Sequence, residues 1–330
     1  MATLYLVEQG AQVQKEYQRL LVCKEGEVLQ EVPIGRVERV VVLGRIGFTT
    51  PALLALLDAD IPVVFLTQQG QVRGRLTGRT RGNLALRHRQ YECSRDPAFC
   101  LQVARSIVSG KLLNYRARCL RQGRRGQDEA AAIAEQLRVY AERALQADDM
   151  AEVRGIEGIG SRLYFRLLRA ALPEEFAFPR RERRPPPDPV NALLSLAYTL
   201  LGESIFAALE VVGLDPYDGF FHSDAYGRPA LALDLAEEFR GIVADSVVLT
   251  LLNRRVLRAS DFTRVGRGVY LKPEALKRFL AAYTHRLNER VWHPVWNKHL
   301  TYQQVFEGQA RLLARLIRGE SERYIPFRVK

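Results

Sequence analysis

The sequence predicts an α+β protein in unequal parts: a β-rich, β-sandwich-like domain with one short helix over residues 1 to 75, a basic linker over 76 to 92, and a larger all-α domain over 93 to 330. Three observations predict it. Short runs of branched and aromatic residues alternate with turn residues at the start, segments with a period near 3.6 residues follow from Pro97, and a Gly/Arg-rich stretch without apolar periodicity lies between. With 330 residues, 47% of them hydrophobic, the chain is long enough to bury two cores.

In the first part, strands are expected at Thr3 to Val7, Arg19 to Val22, Glu27 to Val32, Val37 to Leu43 and Pro62 to Leu66, with breaks at Gly10, Gly26, Gly35, Gly44 and Gly70. The exception is the run from Thr50 to Asp58. Thr50 is suited to cap, Pro51 fits a first helical position, and the leucines follow a helical period. No catalytic constellation stands out here, so assembly or partner docking is the expected role. Arg73, Arg75, Arg79 and Arg81 then form either a solvated linker or a phosphate-contacting strap. Helices are expected over Phe99 to Leu120, Asp128 to Leu145, Arg162 to Ala171 and Ala192 to Leu201, the last begun by Asp188-Pro189.

A formal net charge of +12, mostly from arginine, makes a polyanion the first partner to consider. Cys23, Cys93, Cys100 and Cys119 include no C-x-x-C pair, so a zinc ribbon or thioredoxin-type motif is not supported and reduced thiols are the expectation. No run approaches the roughly eighteen consecutive apolar residues that cross a bilayer, and the N-terminus lacks a basic segment ahead of an apolar core. A cytoplasmic protein without a membrane partner is expected.

The chemistry-bearing stretch is Gly219-Phe-Phe-His222-Ser-Asp224, followed by Leu233-Asp234-Leu-Ala-Glu237-Glu238-Phe-Arg240. Asp234, Glu237 and Glu238 are spaced i, i+3 and i+4, so on a helix their carboxylates are expected on one face. One imidazole with two or three carboxylates suits Mn²⁺ or Mg²⁺ better than a structural zinc. A second acid, Glu157, sits among Gly155, Gly158 and Gly160, in neither the dinucleotide nor the P-loop spacing. Flanked by isoleucines, it is expected to turn inward and to need a cation or hydrogen bonds. Arg180, Arg181, Arg183 and Arg184 lie on a proline-braced loop, where contact with nucleic acid is favoured over plain solvation; Asn191 is placed to cap. The tail Tyr324-Ile-Pro-Phe is expected to dock on the helical domain.

Three ordered segments carry a family resemblance: Arg154-Gly-Ile-Glu157-Gly with Tyr164-Phe; Arg184-Pro-Pro-Pro-Asp-Pro-Val-Asn191 with Tyr198; and Gly213-Leu-Asp-Pro-Tyr-Asp-Gly-Phe-Phe-His222 with Leu233 to Arg240. Together they resemble the CRISPR-associated endonuclease and integrase of spacer acquisition, the first of the numbered Cas proteins. The resemblance implies a homodimer that joins a small ferredoxin-like adaptation partner and double-stranded DNA, both spacer precursor and CRISPR repeat. It implies metal ligation and catalysis by Glu157, His222 and Glu237, a near-site acid in Asp234, and DNA contacts from Tyr164, Tyr198 and Arg240, with Asn191 a further candidate. Some relatives carry Asp where this chain has Glu237. Two other readings remain at this point: a general repair or branched-DNA nuclease, and a non-catalytic architectural DNA-binding protein.

Overall fold

The computed structural model describes residues 2–78, 83–123, 128–182, 185–222 and 226–329. Its first part stacks two four-stranded sheets. The strands are β1 (Ala2–Leu6), β2 (Gln12–Glu16), β3 (Arg19–Lys24), β4 (Glu27–Pro33), β5 (Val37–Leu43), β6 (Gly47–Phe48), β7 (Val63–Leu66) and β8 (Val72–Leu76), with α1 (Thr50–Asp58) between β6 and β7. One sheet has the order β1-β5-β7-β8, parallel except for β8; the other is β4-β3-β2-β6. Thr49, rather than Thr50, caps α1 by accepting from the Ala52 N–H.

The apolar run of β5 follows from its burial on both faces. Val40 and Val42 pack into the core between the sheets, while Val41 and Leu43 join the core of the helical part. Such two-sided burial is what parallel strands require, and each fully buried valine or leucine contributes about 1.5–3 kcal/mol. One face of the β-rich part is thus used within the chain.

The helical part contains α2 (Leu84–Ser94), α3 (Pro97–Gly123), α4 (Asp128–Gln146), α5 (Met150–Ala170), α6 (Pro189–Val212), α7 (Ala230–Phe239), α8 (Asp245–Asn253), α9 (Pro273–Asn288) and α10 (Tyr302–Ile317). Two small hairpins, β9 (Phe262–Val265) with β10 (Gly268–Leu271) and β11 (Arg290–His293) with β12 (Lys298–Thr301), interrupt the all-α pattern. Their four-residue strands are too short for a period to show in the sequence.

Two further expectations are corrected. The stretch read as linker or strap supplies β8, and Arg75 on it pairs with Glu203 of α6 through Nε and Nη2 at 2.9 and 2.6 Å, its guanidinium 3.6 Å from the Phe206 ring centroid; Leu84–Ser94 is helical, and Arg79 and Arg81 lie outside the described residues. Gly155, Gly158 and Gly160 do not precede a helix but lie inside α5, capped by Asp149. Although α6 is long and apolar enough to cross a membrane by length and composition, it is mostly buried as a central core helix.

Candidate active site

Two close approaches set the site. Gly160 lies against Leu112 so tightly that a Cβ there would clash, which lets α5 settle on α3 and brings Glu157 to Lys111. Gly213, at φ 92°, ends α6 in the left-handed conformation and turns the chain into the loop that carries His222. That loop presses on α7 at Gly219, where a Cβ would stand 2.8 Å from Asp234 Oδ2. Arg154 of α5 donates from Nη2 to the Phe221 carbonyl at 3.2 Å, tying the two walls together.

Asp234 organises the loop. Its Oδ2 accepts the N–H groups of Phe220 and Phe221 at 2.7 and 3.0 Å, and its Oδ1 accepts His222 N at 2.9 Å and His222 Nδ1 at 2.6 Å. Aimed at a carboxylate, Nδ1 carries the hydrogen and leaves the Nε2 lone pair free, 3.7 Å from Glu237 Oε1. Both Asp234 oxygens are engaged this way, so the acid positions the imidazole.

Glu237 is buried, its side chain 2% exposed. Burial, the largest influence, would push its carboxyl up, but Arg240, Lys111 and His222 outweigh it and bring it to about 2. Arg240 Nη1 lies 2.8 Å from Oε1 and Lys111 Nζ 2.6 Å from Oε2. Lys111 also donates to Glu157 Oε1, which accepts from Ser161 Oγ at 2.8 Å. Arg240 opens a π-helical turn, Arg240–Ala244, after α7, and such turns recur at functional sites. Gly241 within it lies against Tyr115, where a Cβ would come within 2.7 Å.

Glu157, His222, Glu237 and Arg240 are therefore brought together, but Glu238 is not. One residue beyond Glu237, it points to the opposite side of α7, towards Tyr324 and Gln309. The expected single acidic face divides because the two residues differ by about 100° of helical turn. Among the described residues, no group of three His, Cys, Asp or Glu side chains stands at metal-holding distance; the two carboxylates meet at Lys111 instead.

The expected DNA contacts fare differently. Tyr164 is 2% exposed and stacks on Tyr115 at 3.7 Å, offering no outer surface. Tyr198 is half-buried, donates to Asp245 Oδ1 at 2.7 Å, and has the guanidinium groups of Arg181 and Arg240 5.3 and 5.1 Å from its ring centroid. Asn191 does not cap, since Asp188 does so by accepting the Asn191 N–H at 2.8 Å; Asn191 is wholly buried, accepts from Arg181 and the Glu182 N–H, and donates to the Arg180 carbonyl and Asp188, clamping the basic loop to α6. Arg181 is held by that clamp, whereas Arg180 is exposed beside Glu182; Arg183, Arg184, Ser223 and Asp224 lie outside the described residues. Sequence reasoning missed Lys111 and Ser161. The signal for Lys111 was a single lysine inside the apolar run Ile107-Val-Ser-Gly-Lys-Leu-Leu.

Residues 4–285 match the family model of "CRISPR associated protein Cas1". The chain belongs to the Cas1 family. Among curated relatives, the CRISPR-associated endonuclease Cas1 3 of Thermus thermophilus is 41% identical over 100% of this chain and 98% of its own. The Cas1 1 of Moorella thermoacetica is 39% identical over 98% and 97%. Among solved structures, a Cas1 protein from Thermotoga maritima superposes with a TM-score of 0.83 at 24% identity, covering 98% of both chains. A casposase bound to integration product gives 0.84 at 23%, covering 98% of this chain and 93% of that one. These likenesses confirm the Cas1 fold, a β-rich N-terminal part followed by a helical one.

Proposed function

We propose that this Cas1 family member is a divalent-metal-dependent DNA integrase of CRISPR adaptation. In the reaction, a 3′-hydroxyl of a short incoming duplex forms a new P–O bond to a backbone phosphorus of the repeat as the bond to the target's 3′-oxygen breaks. The hydroxyl gives up its proton and the departing oxygen takes one. One observation carries the reading: Glu157 and Glu237, eighty positions apart, are aimed at a single cationic point beside an imidazole whose Nε2 is free. The endonuclease names of relatives as close as 41% identity support the same class.

The residues present fit a Mn²⁺ or Mg²⁺ ion. Two carboxylate groups and one imidazole form an oxygen-rich donor set, and Glu237 Oε2 is a buried acceptor already directed at a positive charge, the Lys111 ammonium. Glu157, His222 and Glu237 would hold the ion, which supplies Lewis-acid charge at the phosphoryl and leaving oxygens. The protein's own share is positioning. Asp234 fixes the imidazole tautomer, and Arg240 adds fixed positive charge close to where phosphoryl charge develops. Gly155 and Gly158 on the exposed side of α5 leave open space near Glu157, through which a backbone phosphate can approach.

The expected assembly belongs to the same proposal: a cytoplasmic homodimer on double-stranded DNA with a small ferredoxin-like partner, residues 1–75 serving dimer and partner contacts and residues 93–330 the chemistry. The test is strand transfer. A short duplex with free 3′-hydroxyls is incubated with the protein, its partner and a supercoiled plasmid bearing the repeat. Site-specific joining supports integration, degradation without joining supports a general nuclease, and unchanged processing by Glu157→Ala or His222→Ala would leave only an architectural role.

A further inference from the structure

The group at the centre of the acidic pair is a side chain of the protein itself. Lys111 is 2% exposed, and its ammonium touches Glu157 Oε1 and lies 2.6 Å from Glu237 Oε2, joining a carboxylate of α5 to one of α7 from its place on α3. Arg240 is not equivalent: among the described residues its ion pair is with Glu237, through Oε1, and its guanidinium lies against the Tyr198 ring. Glu157 has Ser161 Oγ as a further donor, whereas Glu237 Oε2 has the Lys111 ammonium at 2.6 Å as its partner. Without Lys111, two carboxylate groups would share a mostly dry site, one of them with an oxygen bare of partners, which is costly unless another cation takes the place.

We propose that Lys111 is a built-in counter-ion: it holds Glu157 and Glu237 together while no divalent ion is bound, and its ammonium gives up at least one carboxylate when an ion enters. The inference rests on the metal-centre reading above. A lysine suits this use because its charge is compact and rides on a flexible four-carbon stem, so it can leave the pair without moving the helix, whereas a planar guanidinium would bind the carboxylates too rigidly. Lys111 thereby sets a threshold for the ion. The cation that enters has to displace a charge already satisfied by both ligands, so the protein trades ion affinity for an ordered, soluble ion-free state. The close fit of Gly160 on Leu112 fixes the α3 backbone next to Lys111, so the stem and not the helix makes the adjustment.

The experiment titrates Mn²⁺ into the full chain and reads free Mn²⁺ by electron paramagnetic resonance, with melting temperature measured in parallel. Wild type is compared with Lys111→Met, Lys111→Gln, Glu157→Gln and His222→Ala. The proposal expects Lys111→Met to bind Mn²⁺ at least tenfold more tightly, to melt lower than wild type without the ion, and to gain more from Mn²⁺. Lys111→Gln provides the same comparison should the methionine variant fail to fold ion-free, because its amide can still donate to a carboxylate. Folded Lys111 variants with Mn²⁺ affinity equal to or weaker than wild type, while Glu157→Gln and His222→Ala bind less, would overturn the counter-ion and leave the metal centre standing. Identical titrations for all five proteins would overturn both.

Discussion

The two sides of α7 differ more than adjacent residues usually do. Glu237 and Glu238 are both buried and both carboxylic acids, yet the first is held at about 2 and the second pushed up to about 8. Burial raises both and is the largest influence on each. What separates them is the charge of their partners. Glu237 faces Lys111, Arg240 and His222; Glu238 meets neutral donors only, the Tyr324 hydroxyl at 2.5 Å, the Phe327 N–H at 2.7 Å and the Gln309 amide at 3.1 Å, with His293 beyond Gln309. Desolvation alone does not decide which way a buried acid shifts; the sign of the surrounding charge does.

The back of the helix is also where the C-terminal tail lies. Asn114 of α3 donates to the carbonyls of Glu238 and Phe327 and accepts from the Val329 N–H, so the tail is stitched to both α3 and α7 behind the site. Pro326 fits against Gly110, one residue from Lys111. The docking expected of Tyr324-Ile-Pro-Phe is thereby realised against the helices that carry Lys111 and Glu237.

The largest effect that would sharpen this contrast is on strand transfer. Glu237→Ala is expected to lower it by at least about a thousandfold, as removal of a group acting only on the transition state does, with duplex binding in a gel-shift assay largely retained. Equal loss of binding would place Glu237 in substrate affinity instead. Next comes Asp234→Asn, which removes the charge that orients His222 and is expected to cost about 10–100-fold in strand transfer and in Mn²⁺ affinity, checked by the two assays together.

Glu238→Gln tests the opposite side through pH. An acid whose folded value is raised from 4.5 to about 8 contributes stability that is fully present below pH 4.5 and lost as pH rises through about 8. Against the glutamine variant, wild-type stability should therefore fall between pH 5 and 8, by at most about 1.4 kcal/mol per pH unit, as read from urea unfolding. For Glu237 the sign is reversed: its contribution is present above pH 4.5 and lost as pH falls through about 2. A flat difference between wild type and Glu238→Gln would show that Glu238 is ionised at neutral pH and that the contrast fails. The smallest effect expected is from Tyr324→Phe, about 1–3 kcal/mol of stability from the two hydrogen bonds its hydroxyl makes, to Glu238 Oε1 and from Gln309 Nε2, with strand transfer within twofold of wild type.

Much of this was legible beforehand. The strand runs of β1, β5 and β7 declared themselves by branched residues, and Asp188-Pro189 marked the start of α6 as found. β8 was not legible, because Val72-Arg-Gly-Arg-Leu offers only two apolar residues with a glycine midway between them, and its strand is fixed by pairing with β7. The glycines of α5 were misleading for a related reason. They lower helix propensity, and only the contact with α3 explains Gly160. Asn191 and Tyr164 read as surface candidates because residue type carries no record of what packs over it.

By itself the sequence determined the order of a β-rich and a helical part, the acidic and imidazole groups that gather at α7, and the basic character of the whole. Those follow from local periodicity, turn residues and composition, each of which is written over a few neighbouring positions. Only the tertiary structure decided that Glu237 and Glu238 part company, that Asp234 holds an imidazole, and that a lysine of α3 lies between Glu157 and Glu237. The physical reason is that ionic partners are chosen by proximity in space, here across 46 residues between Lys111 and Glu157, and helical spacing fixes the direction of a side chain without fixing what stands opposite it.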